Sequence, residues 1–369
     1  MSKVAVIGAG AFGVTIAIEL AKKGHSVLLL EKDAEILRGG TANSQNRLHL
    51  GLHYPRDLET AIQSKLGFMK FSKKYPLIVR NDFPNYYAIA ANGSHVNSMQ
   101  FQEFALTAGI SLAKLQCELP FGMAAKSIEE IWECDEGVID IDKFREHLKN
   151  ELIVQNIEIH NDIEITRIVK ESSKWKLQTN TGEEFGNFDY IVRATYGSDR
   201  IESLDVDLRR TEYEYHRTLI LEVSSKCETK GITIVDGDFL TLLPKGFSDN
   251  FLIYAPSLSV LDRHQGLEPK NYWKDSDSEV LEAETALVDR LNSWLPKFLI
   301  NKIESRLVTT RSIQPNVSRT DKRVSEVKWL NSSIVEVWSG KIDHCIEIAE
   351  QISDQISGTQ ISRLAPDLK

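Results

Sequence analysis

Apolar and polar positions along the chain sort into two kinds of segment, helix-patterned and strand-patterned, interleaved from one end to the other. Val4-Ala5-Val6-Ile7 is a short continuous apolar run, the pattern of a strand buried on both faces. It leads into Gly8-Ala9-Gly10-Ala11-Phe12-Gly13, a helix-patterned stretch that Gly24 stops, and a second apolar run, Val27-Leu28-Leu29-Leu30, which ends at Glu31. Helical spacing recurs over 58–75, 98–108, 140–153 (Phe144, Leu148, Leu152), 278–295 (Val280, Leu287, Leu291, Trp294, closed by Pro296) and 342–356. Strand patterning marks 86–89, a hairpin of 163–169 and 174–179 that turns at Glu171-Ser172-Ser173, and a nearly continuous apolar strand over 188–196. Four segments, 219–223, 231–235, 239–243 and 251–255, are expected to share one antiparallel sheet. The last strand is 334–338, followed by a Ser339-Gly340 turn.

Strand, glycine turn, helix, strand, acid is the order that binds the ADP half of a dinucleotide. Gly8 allows the tight turn, Gly10 lets backbone N–H groups approach the pyrophosphate, and Gly13 lets the helix lie close on the strand. The phosphates then face the positive end of the helix that begins at Ala11 and Phe12, and Glu31 accepts from the ribose hydroxyls. A carboxylate at Glu31 argues against a 2′-phosphate, which it would repel; Lys32 beside it is a further cofactor-binding candidate.

Composition narrows the setting. With 369 residues, 42% of them apolar, the chain can bury a large core, and roughly 150 residues per domain suggests two domains. No apolar run approaches the roughly 18 residues that span a bilayer, and the first strand starts at residue 3 without a charged leader, so the expected location is cytoplasmic. A net charge of −9 without a lysine or arginine cluster speaks against nucleic acid and anionic membranes as partners. Cys117, Cys134, Cys227 and Cys345 lack metal-ligand spacing and read as reduced thiols.

The first motif alone does not separate NAD from FAD; three later segments do. The loop Gly39-Gly40-Thr41-Ala42-Asn43-Ser44-Gln45-Asn46-Arg47-Leu48-His49-Leu50-Gly51-Leu52-His53-Tyr54-Pro55-Arg56 closely resembles the segment after the nucleotide motif in the D-amino-acid oxidase family of FAD-dependent oxidoreductases. That family includes glycine oxidase, sarcosine oxidase and the L-2-hydroxyglutarate oxidising enzymes. Asp189-Tyr190-Ile191-Val192-Arg193-Ala194-Thr195-Tyr196-Gly197-Ser198 resembles the family's "VVxAxG" strand, and Trp338-Ser339-Gly340-Lys341-Ile342-Asp343 stands where the closing strand, turn and helix hold the flavin. The resemblance covers essentially the whole chain, firmly at the cofactor and loosely at the substrate.

It implies an α/β fold in which a Rossmann-type FAD-binding domain (1–80, 140–205 and 320–369) is interleaved with a substrate domain built on an antiparallel β-sheet (81–139 and 206–319). It implies FAD, held non-covalently; attachment through His49 or His53 stays open, while Cys345 does not match the cysteine of covalent sarcosine oxidases. Ser44 and Asn46 would reach the pyrophosphate, and Arg47, Leu48, His49 and Ile165 would line the cofactor. Backbone N–H groups from Ser339 to Asp343 would face the flavin N1 and C2 carbonyl, where charge gathers on reduction. Lys341 would add a positive charge there or sit solvated at the helix start.

His49, His53 and Tyr54 match the "HxGxYY" residues of L-2-hydroxyglutarate-type relatives, with His53 departing from the first tyrosine. A histidine there could take a proton from substrate; it could equally bond loop backbone. In Thr310-Arg311-Ser312-Ile313-Gln314-Pro315-Asn316-Val317-Ser318-Arg319-Thr320-Asp321-Lys322-Arg323, Arg311 stands where relatives bring a carboxylate-binding arginine, whose planar fork suits that anion. Arg56 is the second choice, and Tyr254 a further pocket candidate. The expected partners are a small anionic substrate and oxygen or another electron acceptor. A nicotinamide-dependent dehydrogenase and a non-catalytic FAD-containing subunit remain as alternatives.

Overall fold

The computed structural model describes residues 1–116, 118–197, 200–208, 212–237, 239–270, 277–315 and 322–358, and the counts below are of these residues. Cys117, Ser198 and the 316–321 part of the arginine segment lie outside them. Two compact units are woven from alternating pieces of chain: 1–38, 145–210 and 325–369 in the first, 39–144 and 211–324 in the second.

The first unit is built on a six-stranded sheet ordered Glu326–Trp329, Ile334–Trp338, Tyr190–Arg193, Lys3–Ile7, Ser26–Leu30, Glu158–His160. All neighbours are parallel except the first pair. The continuous apolar run 4–7 is central, and every one of its side chains is buried. Helix Ala11–Lys22 and helix Cys345–Ile356 pack together, Thr15 Oγ1 donating to the Cys345 carbonyl. The second helix buries Cys345, Ile348, Ala349, Ile352 and Ile356, the 3.6-residue stripe legible in its sequence. Ala5, Ile7, Leu28 and Leu30 instead meet Ile168, Trp175, Leu177 and Phe188 from a three-stranded antiparallel sheet, Ile165–Glu171, Lys174–Thr179 and Glu184–Phe188. The apolar stretch 188–196 is thus two strands, not one: Phe188 closes the small sheet, and Tyr190–Arg193 enters the large one.

The second unit carries a nine-stranded sheet. Its order is Val260–Gly266, Tyr213–Ser224, Asn250–Tyr254, Thr241–Pro244, Gly231–Val235, Asn85–Ala90, Ile128–Cys134, Ala113–Lys114, with Lys302–Ile313 also paired to Tyr213–Ser224. The sheet is mixed rather than purely antiparallel, because Gly231–Val235 runs parallel to Asn85–Ala90.

Alternation gives the sheet two unlike faces. Leu219, Leu221, Ile253, Leu242, Ile232, Ile234 and Ala88 form one apolar face, packed with Val280, Leu287, Leu291 and Leu295 at helix Asp277–Trp294. The cross-strand pairs Thr218 with Thr309, His216 with Arg311, Thr241 with Tyr254, Thr233 with Thr241 and Thr233 with Tyr87 put a polar set on the other.

Residues 39–80 and 140–144 belong to this second unit, whereas the sequence reading assigned them to the nucleotide domain. Their partners explain the difference. Arg47–Leu48 and Val79–Arg80 both pair with Gly137–Ile139, and Leu52 and Ala61 are buried among Tyr87, Ile89 and Trp132. Cys134 and Cys345 are buried free thiols, and Cys227 is a partly exposed one. Among the described residues no helix is long and apolar enough to cross a membrane.

Candidate active site

The nucleotide end is shaped by what glycine leaves out. A Cβ on Gly13 would lie 1.8 Å from the Gly8 carbonyl oxygen, and one on Gly8, at φ +98°, would lie 2.6 Å from that of Ala194. Helix Ala11–Lys22 starts at Gly10 with no capping side chain from that residue and no acid in its first turn, which is the form of a helix start that favours an anion. Glu31 is buried; its carboxylate accepts from the backbone N–H groups of Ala9 and Asp33. Burial raises the Glu31 pKa, against the two N–H bonds that lower it. Each carboxylate oxygen keeps lone-pair capacity for a ribose hydroxyl. Lys32 beside it is exposed.

The second and third motifs come together with the first. Ala194 N–H donates to the Ile7 carbonyl, the next residues turn through positive φ at Tyr196 and Gly197, and the Tyr196 ring stacks on Trp338 at 6.0 Å and 10°. Thr195 lies in this turn, and Ile165 is buried beneath the sheet.

At the closing turn one expectation changes. The Gly340 N–H donates to Ser325 Oγ at 2.8 Å, so this amide is engaged within the protein. Ser339 precedes it and Lys341 caps the short helix Ile342–His344 without a side-chain bond. Asp343 and His344 are fully buried there, His344 Nδ1 lying 2.8 Å from Ser325 Oγ and Nε2 3.5 Å from Asp343 Oδ2. Burial, with Lys341 second, lowers the His344 pKa to about 3.

In the second unit, Ser44 Oγ donates to Asn46 Oδ1 and accepts from the Asn46 N–H, closing a turn in which Asn46 holds φ +53°. Leu48 is buried. The Arg47 guanidinium, expected at the cofactor, is instead committed inside the unit. It donates to Glu136 Oε2 at 2.7 Å, to Thr233 Oγ1 and to the Tyr87 hydroxyl, which itself donates to Glu136 at 2.6 Å. Glu136 Oε1 accepts from the Leu50 N–H at 2.8 Å and lies 3.8 Å from His49 Nδ1. Burial raises the Tyr87 pKa well above its usual value, so the phenol stays a donor. Sequence reasoning missed Glu136, Tyr87 and Thr233. The sequence carried no signal for them, because Arg47 stands between polar Asn46 and Leu48-His49 and nothing there marks it as buried; once buried, the cation demands a buried acid.

His49, His53 and Tyr54 form one ring cluster, with centroids 5.7, 5.7 and 5.1 Å apart. Arg311 and Tyr254 also meet: the guanidinium carbon stands 4.6 Å over the tyrosine ring. Among the described residues no carboxylate pairs with Arg311. Arg56, the second arginine considered, is bound through Nε to Asp236 at 2.5 Å. That bond neutralises its charge.

A mostly parallel sheet with a glycine-started helix and a buried acid after its second strand has the form of a dinucleotide-binding unit. The chain belongs to the FAD dependent oxidoreductase family (DAO), whose model matches residues 3–326. FAD is therefore the cofactor, and the nicotinamide alternative falls away. The uncapped helix end and the anchored Glu31 fit its ADP half. Among curated proteins, the chain is 26% identical over 359 residues to the FAD-dependent monooxygenase FPY4 of Fusarium mangiferae, covering 94% of this chain and 89% of that one. It is 24% identical over 374 residues to the FAD-dependent monooxygenase kojA of Aspergillus flavus, covering 95% and 84%. Among solved structures, glycine oxidase from Geobacillus kaustophilus superposes with a TM-score of 0.73 at 14% identity, covering 99% and 98%. L-alpha-glycerophosphate oxidase from Mycoplasma pneumoniae gives 0.76 at 16%, covering 96% and 95%. These last two show the shared fold.

Proposed function

We propose that this FAD-dependent enzyme oxidises a C–N or C–O bond of a small carboxylate-bearing substrate, an amino acid, N-substituted amino acid or 2-hydroxy acid, with Arg311 and Tyr254 holding the carboxylate. The observation that carries this reading is the Arg311 guanidinium over the Tyr254 ring, with no carboxylate pairing it among the described residues. The ring fixes the guanidinium plane while the N–H fork stays open to a planar anion. Thr218 and Thr241 on the same polar face keep the surroundings hydrogen-bonding rather than greasy. Glycine oxidase, which shares the fold, is named for an amino acid. Bound FAD supplies the two-electron acceptor. His49 and His53 supply a place for the proton that leaves the substrate, with Tyr54 packed against both rings.

The test is anaerobic bleaching of the flavin by a panel of amino acids, N-methyl amino acids and 2-hydroxy acids. Arg311→Ala should keep its FAD and spectrum and slow bleaching by about a hundredfold or more, the scale for truncating one partner of a charge-assisted pair. Unchanged bleaching by the true substrate would make Arg311 structural. A second reading, oxygen-atom insertion, is favoured by the monooxygenase names of the two fungal relatives. Turnover under heavy-isotope oxygen separates the two, because only insertion leaves the label in the organic product.

A further inference from the structure

Three strands of the nine-stranded sheet set two arginines on either side of one histidine. In strand Tyr213–Ser224, His216 stands opposite Arg263 of Val260–Gly266 on one side and opposite Arg311 of Lys302–Ile313 on the other. Residues directly opposite in antiparallel strands share a face, so Arg263, His216 and Arg311 form one row on the polar face. Neighbouring strands lie roughly 4.8 Å apart, which puts the two arginine backbones about 10 Å from each other.

Such a row is a cost to the bare sheet, because like charges set opposite one another destabilise it. His216 escapes by staying neutral at neutral pH: burial lowers its pKa and the charges of Arg263 and Arg323 lower it further, against the pull of Glu214, to which Nε2 is bonded. The arginines have no such escape, since a guanidinium keeps its proton. Among the described residues neither the Arg263 nor the Arg311 guanidinium pairs with a carboxylate, and Glu214, the acid beside the row, is engaged with His216. An exposed arginine is ordinary on a protein surface. Arg263 differs in sharing its row with the arginine poised over Tyr254.

We infer that the substrate carries a second anionic group, a carboxylate or a phosphate, which Arg263 binds across His216 while Arg311 holds the first carboxylate. This rests on Arg311 being the carboxylate-binding arginine. A single carboxylate at Arg311 leaves the Arg263 charge uncompensated, whereas a short molecule with an acid at each end answers both. Arg263 is exposed, so its long side chain closes on such a group without first leaving a carboxylate partner. His216 and the Thr218–Thr309 pair, one alternation along, give the part between the two acids a hydrogen-bonding floor.

Calorimetric titration of the FAD-loaded protein with dicarboxylates and their one-acid counterparts, succinate against butyrate and glutarate against valerate, tests this. The dicarboxylate of at least one pair should bind about tenfold or more tighter than its counterpart. Arg263→Gln should remove that difference, with FAD content and melting temperature as in the parent. 3-Phosphonopropionate against succinate separates the two sources of the second charge: the tighter ligand names the group, and its advantage too should vanish in Arg263→Gln. Equal affinities within both pairs, in a protein whose monocarboxylate binding is lost in Arg311→Ala, would overturn the inference and leave the role of Arg311 standing. A dicarboxylate preference that survives Arg263→Gln would overturn it as well. Carboxylate binding that is absent, or indifferent to Arg311→Ala, would overturn the role of Arg311 and this inference with it.

Discussion

Ser325 Oγ lies 2.8 Å from both the Gly340 amide nitrogen and His344 Nδ1, so a single hydroxyl fixes the closing turn and the buried imidazole together. The hydroxyl has one proton to give. With the Gly340 N–H donating to it, it keeps a second lone pair and its own proton, so it can bond Nδ1 of His344 in either neutral tautomer, with Nε2 on the Asp343 side.

That arrangement makes the fold acid-sensitive through His344. Its pKa falls from 6.5 to about 3 on folding, so between those values the unfolded chain binds the extra proton. The contribution is fully present above the unfolded value and is lost as pH falls, by at most about 1.4 kcal/mol per pH unit. Between pH 7 and pH 5, His344→Gln should therefore lose about 2 kcal/mol less unfolding free energy than the parent. Equal losses in urea titrations at the two pH values would remove His344 as the cause.

The Arg47–Glu136 pair makes a different prediction. Both side chains are buried, and Glu136→Gln leaves the guanidinium without its counter-charge. Breaking such a pair from one side costs about 3 to 5 kcal/mol, whereas replacing both partners by apolar residues recovers much of the loss. Glu136→Gln should lower the urea midpoint strongly, and Arg47→Met with Glu136→Leu should regain part of it. A Glu136→Gln midpoint at the parent value would mean that the pair contributes nothing.

Gly13→Ala tests the nucleotide turn. A methyl group 1.8 Å from the Gly8 carbonyl cannot be absorbed by a side chain moving aside, because both neighbours are backbone. The strand and helix must separate, at a cost near the upper end of the roughly 1 to 3 kcal/mol usual for overpacking. The variant should purify with less FAD and melt lower even as apoprotein. Full FAD content with an unshifted apoprotein melt would contradict the close approach.

The sequence made the first unit's nucleotide end legible because its determinants are local: the glycines, the apolar runs and Glu31 all lie within thirty residues. The helices were legible to within a residue or two where one face is strictly apolar, as over Val280, Leu287 and Leu291. What escaped depends on distant pairing. The parallel contact of Gly231–Val235 with Asn85–Ala90 joins segments far apart in sequence, and nothing in either strand announces its direction. The roles of Arg47 and Arg56 escaped for the same reason, since Glu136 and Asp236 lie 89 and 180 positions away. Arg311 and Tyr254 were each singled out from sequence; their contact was not visible until the strands were paired.

The interleaving of the two units has a consequence for the order in which a ribosome can deliver them. Every strand of the nine-stranded sheet has been synthesised once Ile313 emerges. The six-stranded sheet, although it opens the chain, still waits for Glu326–Trp329 and Ile334–Trp338, and its first helix waits for Cys345–Ile356 to cover it. The nucleotide motif thus precedes the nine-stranded sheet and is completed after it, so the nascent chain carries an incomplete cofactor unit throughout the synthesis of that sheet.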